Sequence, residues 1–189
     1  LTDAAIAGNN DVSQQPRTGL VTVFTGDGKG KTTAAIGTAV RAAGYGLRVG
    51  IVFFFKGKMF SQGEVKALGS LSGVDICNFG VDNWVKKGDD NSAAAEQAQQ
   101  ALATSAKMIK SELYDLVVMD EVNSAVDFGL IDVQDVLDIL RARPAQVDII
   151  LTGRNAHQKV IEASDITTEM KCVKHAFERG IIARQGIDF

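Results

Sequence analysis

Cysteine, histidine, proline and tryptophan are scarce in this chain: two, two, two and one among 189 residues. Cys77 and Cys172 lie far apart and match no metal-ligand spacing, which removes zinc ribbons and knuckles. They would pair only if the fold brought them close, and both are expected to be reduced and structural, as in a cytoplasmic protein. His157 and His175 stand alone, so no Ser-His-Asp set exists and structural roles are expected for both. No apolar run approaches the roughly 20 residues that span a bilayer; the longest, "VGIVFFF", suits a buried strand. The opening "LTDAAIAGNNDVSQQPRTG" lacks the basic start and apolar centre of a signal peptide. No membrane partner is expected. A net charge of −3 gives no overall sign of a nucleic-acid surface, though it leaves room for a local basic patch. There is no internal repeat, low-complexity tract or second domain.

What is present is an ordinary globular composition, 46% hydrophobic and 23% charged, in a length suited to one domain. Residues 1–18 are polar, end in Pro16 and Gly19 punctuation, and read as an arm outside the core; Leu1 in first place suggests an altered or missing initiator end. Residues 19–189 alternate strand and helix signals. Apolar, β-branched runs at Leu20–Thr25, Arg48–Phe55, Val74–Phe79, Asp115–Glu121 and Val147–Gly153 predict strands. Helices are predicted over Lys31–Gly44, from an Asn91-Ser92 cap to about Leu113, over a Val133–Leu140 stripe stopped by Pro144, and near Ala156–Ala163. In the long helix Ala98, Ala101, Leu102, Ser105, Met108, Ile109 and Leu113 would share a face. A last strand or hairpin is expected near Ile166–Ala183. The pattern implies a single α/β domain with a mostly parallel central sheet and helices on both faces. Lys56–Ser72 and Gly80–Asn91 lack a clear period; each follows a strand, on the edge where open α/β sheets bind ligands.

The chemistry concentrates in "TGDGKGKTT", Thr25–Thr33. The usual phosphate loop has Gly, four residues, then Gly-Lys-Ser/Thr. Here the first glycine comes one residue late, at Gly26, with Thr25 in its place. Gly26, Gly28 and Gly30 permit a tight turn and a close approach to an anion. The loop joins a strand to a helix N-terminus, whose amides and dipole favour negative charge. Lys31 would reach a phosphate oxygen, Thr32 would offer its hydroxyl to Mg²⁺, and Lys29 and Thr33 add donors. Asp120-Glu121 close a buried strand, an acidic pair placed beside such a loop. One carboxylate can hold Mg²⁺ directly or through water, and the spacing leaves their separate roles open. Arg154 follows another strand and can clamp a phosphate or carboxylate, against the alternative of a surface ion pair. Arg41 lies on the first helix, where a solvated face is the commoner outcome. Trp84 offers a plane for an apolar ligand or an anchor for local packing.

Taken together, "VFTGDGKGKTTAAIGTAVRAAGYG", "FFFKG", "VVMDEVN", "LTGRNAH" and "VKHAFERGIIARQGIDF" resemble, in order, the P-loop-type ATP:corrinoid adenosyltransferases. That family adenosylates cobalamin and cobyrinic acid a,c-diamide, and the resemblance covers about Gly19–Phe189. It implies transfer of the 5′-deoxyadenosyl group of ATP to cobalt(I), with intact triphosphate leaving and ATP lying along the loop in the reverse sense. Gly26, Asp27, Gly28, Lys29, Gly30, Lys31, Thr32 and Thr33 match its triphosphate site. Arg41, Glu121 and Arg154 match positions near nucleotide or corrinoid, and Lys56, Gly57 and Glu64 match its "KG…GE" segment. On this resemblance Lys31, Thr32, Glu121 and Arg154 serve catalysis, and Thr32, Asp120 and Glu121 hold Mg²⁺ or Mn²⁺. The resemblance also implies a reductase or flavodoxin-type electron donor, a homodimer, and an N-terminal segment that covers the active site. In one place the chain departs from the family, which carries an aromatic, one residue, then Trp after the third strand. Here "FGVDNW" puts Val81 or Asp82 at the first aromatic, leaving Trp84 for the tryptophan role and Phe79 as a substitute, or a different treatment of the corrinoid's lower face. Two rivals share parts of the pattern: a P-loop ATPase or kinase that cleaves a phosphoanhydride, and a corrinoid carrier or nucleotide-gated regulator without turnover.

Overall fold

The computed structural model describes residues 17–57, 63–82, 85 and 91–188. Six strands form one all-parallel sheet in the order β3-β2-β4-β5-β1-β6. They are β1 (Val21–Thr25), β2 (Val49–Phe53), β3 (Val74–Asn78), β4 (Leu116–Asp120), β5 (Asp148–Thr152) and β6 (Ile166–Glu169). The helices are α1 (Lys31–Gly44), α2 (Gly63–Leu68), α3 (Ser92–Lys110), α4 (Val122–Asp127), α5 (Val133–Arg141) and α6 (Gln158–Glu162).

Parallel strands covered on both faces need apolar side chains on both faces, and β2 and β4 are buried throughout. Strand alternation then divides the core. Val52, Val117, Met119, Ile149 and Leu151 pack with Ala98, Leu102 and Ile109 of α3 and with Val136 and Leu137 of α5. Val49, Ile51, Phe53, Leu116, Val118 and Ile150 face the other way, onto Ala35 and Ala39 of α1 and Leu68 of α2. Helices therefore cover both faces of the sheet. β5 lies between β4 and β1, so Asp120, Thr152 and Thr25 end their strands side by side at the carboxyl edge.

The predicted elements occur with shifts at their ends, and the structure departs from the prediction at α3 and α2. α3 ends at Lys110, Glu112 takes a left-handed φ of 57°, and Leu113 swings out to 62% exposure. Leu113 therefore does not join the buried face on which the periodicity placed it; the helix stops before that face comes round again. α2 lies within the stretch that lacked a period, because six residues give too short a window for a 3.6-residue repeat. Of the strand or hairpin expected near the end, the chain forms the strand, β6, at the sheet edge. The chain after it forms a strap with one 3₁₀ turn, Ala176–Arg179, laid along the carboxyl edge.

Candidate active site

The loop after β1 is shaped by its glycines and by the strap. Gly26 and Gly30 hold φ of 94° and 116°, a region that L side chains rarely enter. The Gly28 N–H donates to Met170 O at 2.6 Å, and the Met170 N–H donates to Thr25 O at 2.8 Å. A Cβ on Gly28 would stand 2.7 Å from Met170 O and 2.8 Å from Lys171 O, all backbone that cannot step aside. Gly26 and Gly28 thus serve the approach of the strap, a reason beyond the approach of an anion. Gly28→Ala is expected to destabilise the fold by roughly 1–3 kcal/mol, the usual cost of overpacking. Thermal unfolding checks this, and an unchanged midpoint would show that the strap yields.

Inside the loop, the Lys31 ammonium donates to Gly26 O at 2.7 Å and to Gly28 O at 2.8 Å, and the residue is only 7% exposed. Burial pulls its pKa down, and the negative charge of Glu121 opposes that shift. Thr32 and Thr33 open α1 on the cavity side.

The acidic strand end is fastened by a residue the sequence reading passed over. Thr152 Oγ1 donates to Asp120 Oδ1 at 2.7 Å and accepts the Glu121 N–H at 2.9 Å. Glu121 itself sits at φ 66°, left-handed for a residue with a Cβ, as backbone at functional sites often is. That turn brings its carboxylate to Ser124 Oγ, which donates to it and accepts the Arg154 N–H at 3.1 Å. Gly153, φ 128°, lets β5 pass this close, since a Cβ there would meet Ser124 N at 2.7 Å. Thr25 Oγ1 accepts the Ala156 N–H at 3.1 Å, tying the segment after β5 to the end of β1. No pattern of spacing marks Ser124 or Thr152; Thr152 acts through the register of β4 on β5, and Ser124 through the left-handed turn at Glu121.

Burial, and then the neighbouring charge of Asp120, raise the Glu121 pKa above its ordinary value, against the Ser124 hydrogen bond and the charges of Lys31 and Lys56. The folded chain therefore holds this proton more tightly than the unfolded chain does. Its contribution to stability is full at acid pH, below the unfolded value, and is lost as pH rises through the folded value. Glu121→Gln stays neutral throughout. In metal-free buffer the variant should melt at nearly the parent temperature in acid and a few degrees higher at neutral pH, given roughly 2–4 °C per kcal/mol at this size. A melting gap that does not widen from acid to neutral pH would contradict this.

Beyond the acidic pair, Lys56 Nζ bonds Glu64 Oε1 at 2.8 Å, lies 3.7 Å from Asp120 Oδ2 and rests 3.9 Å from the centre of the Phe53 ring. Burial is the largest single influence on Glu64 and works to raise its pKa, but the Lys56 hydrogen bond, a backbone hydrogen bond and the Lys56 charge together outweigh it, and the net shift is downward. Asp27, Lys29, Gly30, Lys31, Glu121 and Arg154 line one cavity of about 850 Å³, with the strap as its other wall. Lys56 and Glu64 line an adjoining cavity of about 430 Å³ that shares Lys29, Thr32 and Thr33. Arg41 is not among this group. It lies near the far end of α1, in a separate hollow with Arg17, Tyr45 and Asp148 toward the amino edge of the sheet. Trp84 and most of the N-terminal arm lie outside the described residues. Phe79 packs half-buried against the core. His157 and His175 each accept a backbone N–H through Nδ1, from Lys159 and Phe177, and so cap α6 and the 3₁₀ turn. Cys77 and Cys172 are both free thiols. The sequence reading gave no role to the strap residues Arg184 and Asp188, although both lie in the "VKHAFERGIIARQGIDF" segment.

The donor set suits a hard cation. Asp120 is 1% exposed and its Oδ2 has no hydrogen-bond partner; the Lys56 ammonium at 3.7 Å offsets its charge without bonding it, which leaves the oxygen free to ligate a further cation. Among the described residues no three His, Cys, Asp or Glu side chains cluster as a complete metal cage. One or two carboxylates with a threonine hydroxyl and substrate oxygens is the way Mg²⁺ is commonly held.

Comparison with known proteins bears on this site as a whole. The family model described as ATP:corrinoid adenosyltransferase BtuR/CobO/CobP matches residues 17–189. The chain is 38% identical over 176 residues to the corrinoid adenosyltransferase CobA of Salmonella typhimurium, covering 93% of this chain and 88% of that one. It is 38% identical over 178 residues to the corrinoid adenosyltransferase of Escherichia coli, with the same coverage. The corrinoid adenosyltransferase of Pseudomonas aeruginosa is 36% identical over 171 residues, 90% of this chain and 84% of that one. In fold alone, the chain is similar to the flagellar accessory protein FlaH of Methanocaldococcus jannaschii, with a TM-score of 0.57 at 10% identity over 81% of this chain and 71% of that one. A match that runs from the first described residue through the strap, and not merely across the phosphate loop, places this chain in the ATP:corrinoid adenosyltransferase family.

Proposed function

We propose that the chain transfers the 5′-deoxyadenosyl group of ATP to cobalt(I) of a corrinoid at the cavity between the phosphate loop and the strap. The observation that carries the reading is the convergence of Lys29, Lys31, Arg154, Glu121 and the strap on one cavity, in a chain whose family match spans that whole arrangement. In the reaction the cobalt electron pair forms a bond to C5′, the C5′–O bond breaks, and its electron pair leaves on triphosphate. Cobalt(I) is thereby oxidised to cobalt(III). No water has to be activated and no proton has to be removed. The protein's task is to fix the nucleotide and to neutralise the charge that grows on the leaving group.

Lys31 and the amides at the start of α1 would hold triphosphate oxygens, with Arg154 beside them. Thr32, Asp120 and Glu121 would hold Mg²⁺ or Mn²⁺, which supplies charge neutralisation on the triphosphate. The Lys56–Glu64 pair lines the adjoining cavity and helps to shape its floor. A reductase or flavodoxin-type donor of electrons to cobalt, a homodimer and a cytoplasmic setting belong to the same reading.

The test is one anaerobic mixture of protein, Mg·ATP and chemically reduced cobalt(I) corrinoid. The visible spectrum should show the adenosyl product, and triphosphate should appear in equal amount. ADP and phosphate without a new cobalt–carbon bond would return the protein to the ATPase class. Binding of both ligands with no product of either kind would make it a carrier or regulator.

A further inference from the structure

The strap is fastened at both ends to adjacent residues of the phosphate loop, by bonds of different kinds. At its start Met170 O accepts the Gly28 N–H, a backbone bond that continues from β6. At its end Asp188 Oδ1 pairs with the ammonium of Lys29 at 2.6 Å. The other carboxylate oxygen of Asp188 accepts the Arg184 N–H at 2.9 Å and the Arg184 Nε–H at 3.0 Å. These partners, the Lys29 bond foremost, hold the Asp188 carboxyl well below the usual carboxylate range. Lys29 and Asp188 both line each of the two cavities. A fixed negative charge thus occupies a loop lysine at the place where a polyphosphate would meet it.

We propose that Asp188 is an internal competitor for polyphosphate at Lys29, and so sets how tightly the triphosphate is held and how readily it leaves. The proposal rests on the reading of the loop as the triphosphate site. A lysine ammonium has three donors and a single charge. Phosphate oxygens gain that charge in full only when the Asp188 carboxylate gives it up. Two anions beside one ammonium also repel each other. Because the Lys29 side chain is half exposed, the effect is that of one screened interaction, about three- to tenfold in affinity. An enzyme that must discharge intact triphosphate gains from such a competitor, because product release often limits turnover.

Calorimetry of inorganic triphosphate in Mg²⁺ buffer tests this on the full chain. Asp188→Asn keeps the shape and loses the charge, and is expected to lower Kd by about three- to tenfold. Asp188→Glu keeps the charge and should stay within about twofold of the parent. Asp188 lies near the end of the chain, outside both core clusters, so Asp188→Ala serves as a second neutral variant and should shift Kd in the same direction. In steady state the neutral variants should show a lower KM for ATP together with a lower kcat. Unchanged or weaker triphosphate binding in both neutral variants overturns the proposal and leaves Asp188 as a fastener of the strap. Lys29→Ala separates the two readings. If the parent binds triphosphate, Lys29→Ala weakens that binding and Asp188→Asn fails to tighten it, competition alone is wrong. If the parent does not bind triphosphate, or Lys29→Ala has no effect, the assignment of Lys29 to the phosphate site falls and the proposal with it.

Discussion

Replacing Lys31 by alanine is expected to slow adenosyl transfer by about 10²–10³-fold, the usual effect of removing one preorganised group from a developing anion. The side chain has two tasks. Its ammonium binds the carbonyls of Gly26 and Gly28 and so braces the turn. Those two bonds leave one donor and the positive charge for a phosphate oxygen. Lys31 is itself nearly closed to solvent, so its charge is less screened than a surface charge and acts the more strongly on a leaving triphosphate. Arginine at this position should not restore the rate. A planar guanidinium is larger and cannot place its donors on two carbonyls of one tight turn while also reaching outward. Thr32→Ala should have a smaller effect, confined to Mg²⁺-dependent binding. Single-turnover formation of the cobalt–carbon bond, with thermal unfolding as the control for folding, measures these effects. A parent-like rate at low ATP in Lys31→Ala would remove this lysine from the site.

Much of this arrangement could be read before any coordinates, for a physical reason. A strand buried on both faces must be apolar throughout, and "LVVMD" and "VGIVF" announce β4 and β2 by composition alone. A Gly-rich turn between strand and helix likewise has few uses other than anion binding. What could not be read is whatever depends on register or on a distant chain segment. Thr152 supports Asp120 only because β5 lies against β4. Ser124 reaches Glu121 only because Glu121 adopts a left-handed turn, which its side chain does not advertise. The strap is legible as a motif of the family but not as a wall of the cavity, since its contacts with Gly28 and Lys29 join residues at opposite ends of the chain. Leu113 errs in the other direction. Its period is right for α3, but the helix has already ended.

The second large effect is expected at Asp120. Asparagine there keeps the size of the side chain and an oxygen for the Thr152 hydroxyl, so the register of β4 on β5 should survive. What it loses is the charge on the oxygen that has no hydrogen-bond partner and stands 3.7 Å from the Lys56 ammonium. Lys56 keeps Glu64 as its closer partner, at 2.8 Å, so the substitution does not strand a buried cation. If the Asp120 oxygen is held ready for Mg²⁺, Asp120→Asn should raise the Mg²⁺ concentration needed for half-maximal transfer by about 10–100-fold, as loss of groups that support a metal does. Nucleotide binding in chelator should move the opposite way or not at all, because a negative charge near the polyphosphate has been removed. These opposite responses separate a metal-site residue from a structural prop. A prop would weaken binding equally with and without Mg²⁺ and would lower the unfolding temperature in proportion. Equal losses in both buffers would therefore take Asp120 out of the metal site and leave Thr32 and Glu121 to hold the cation.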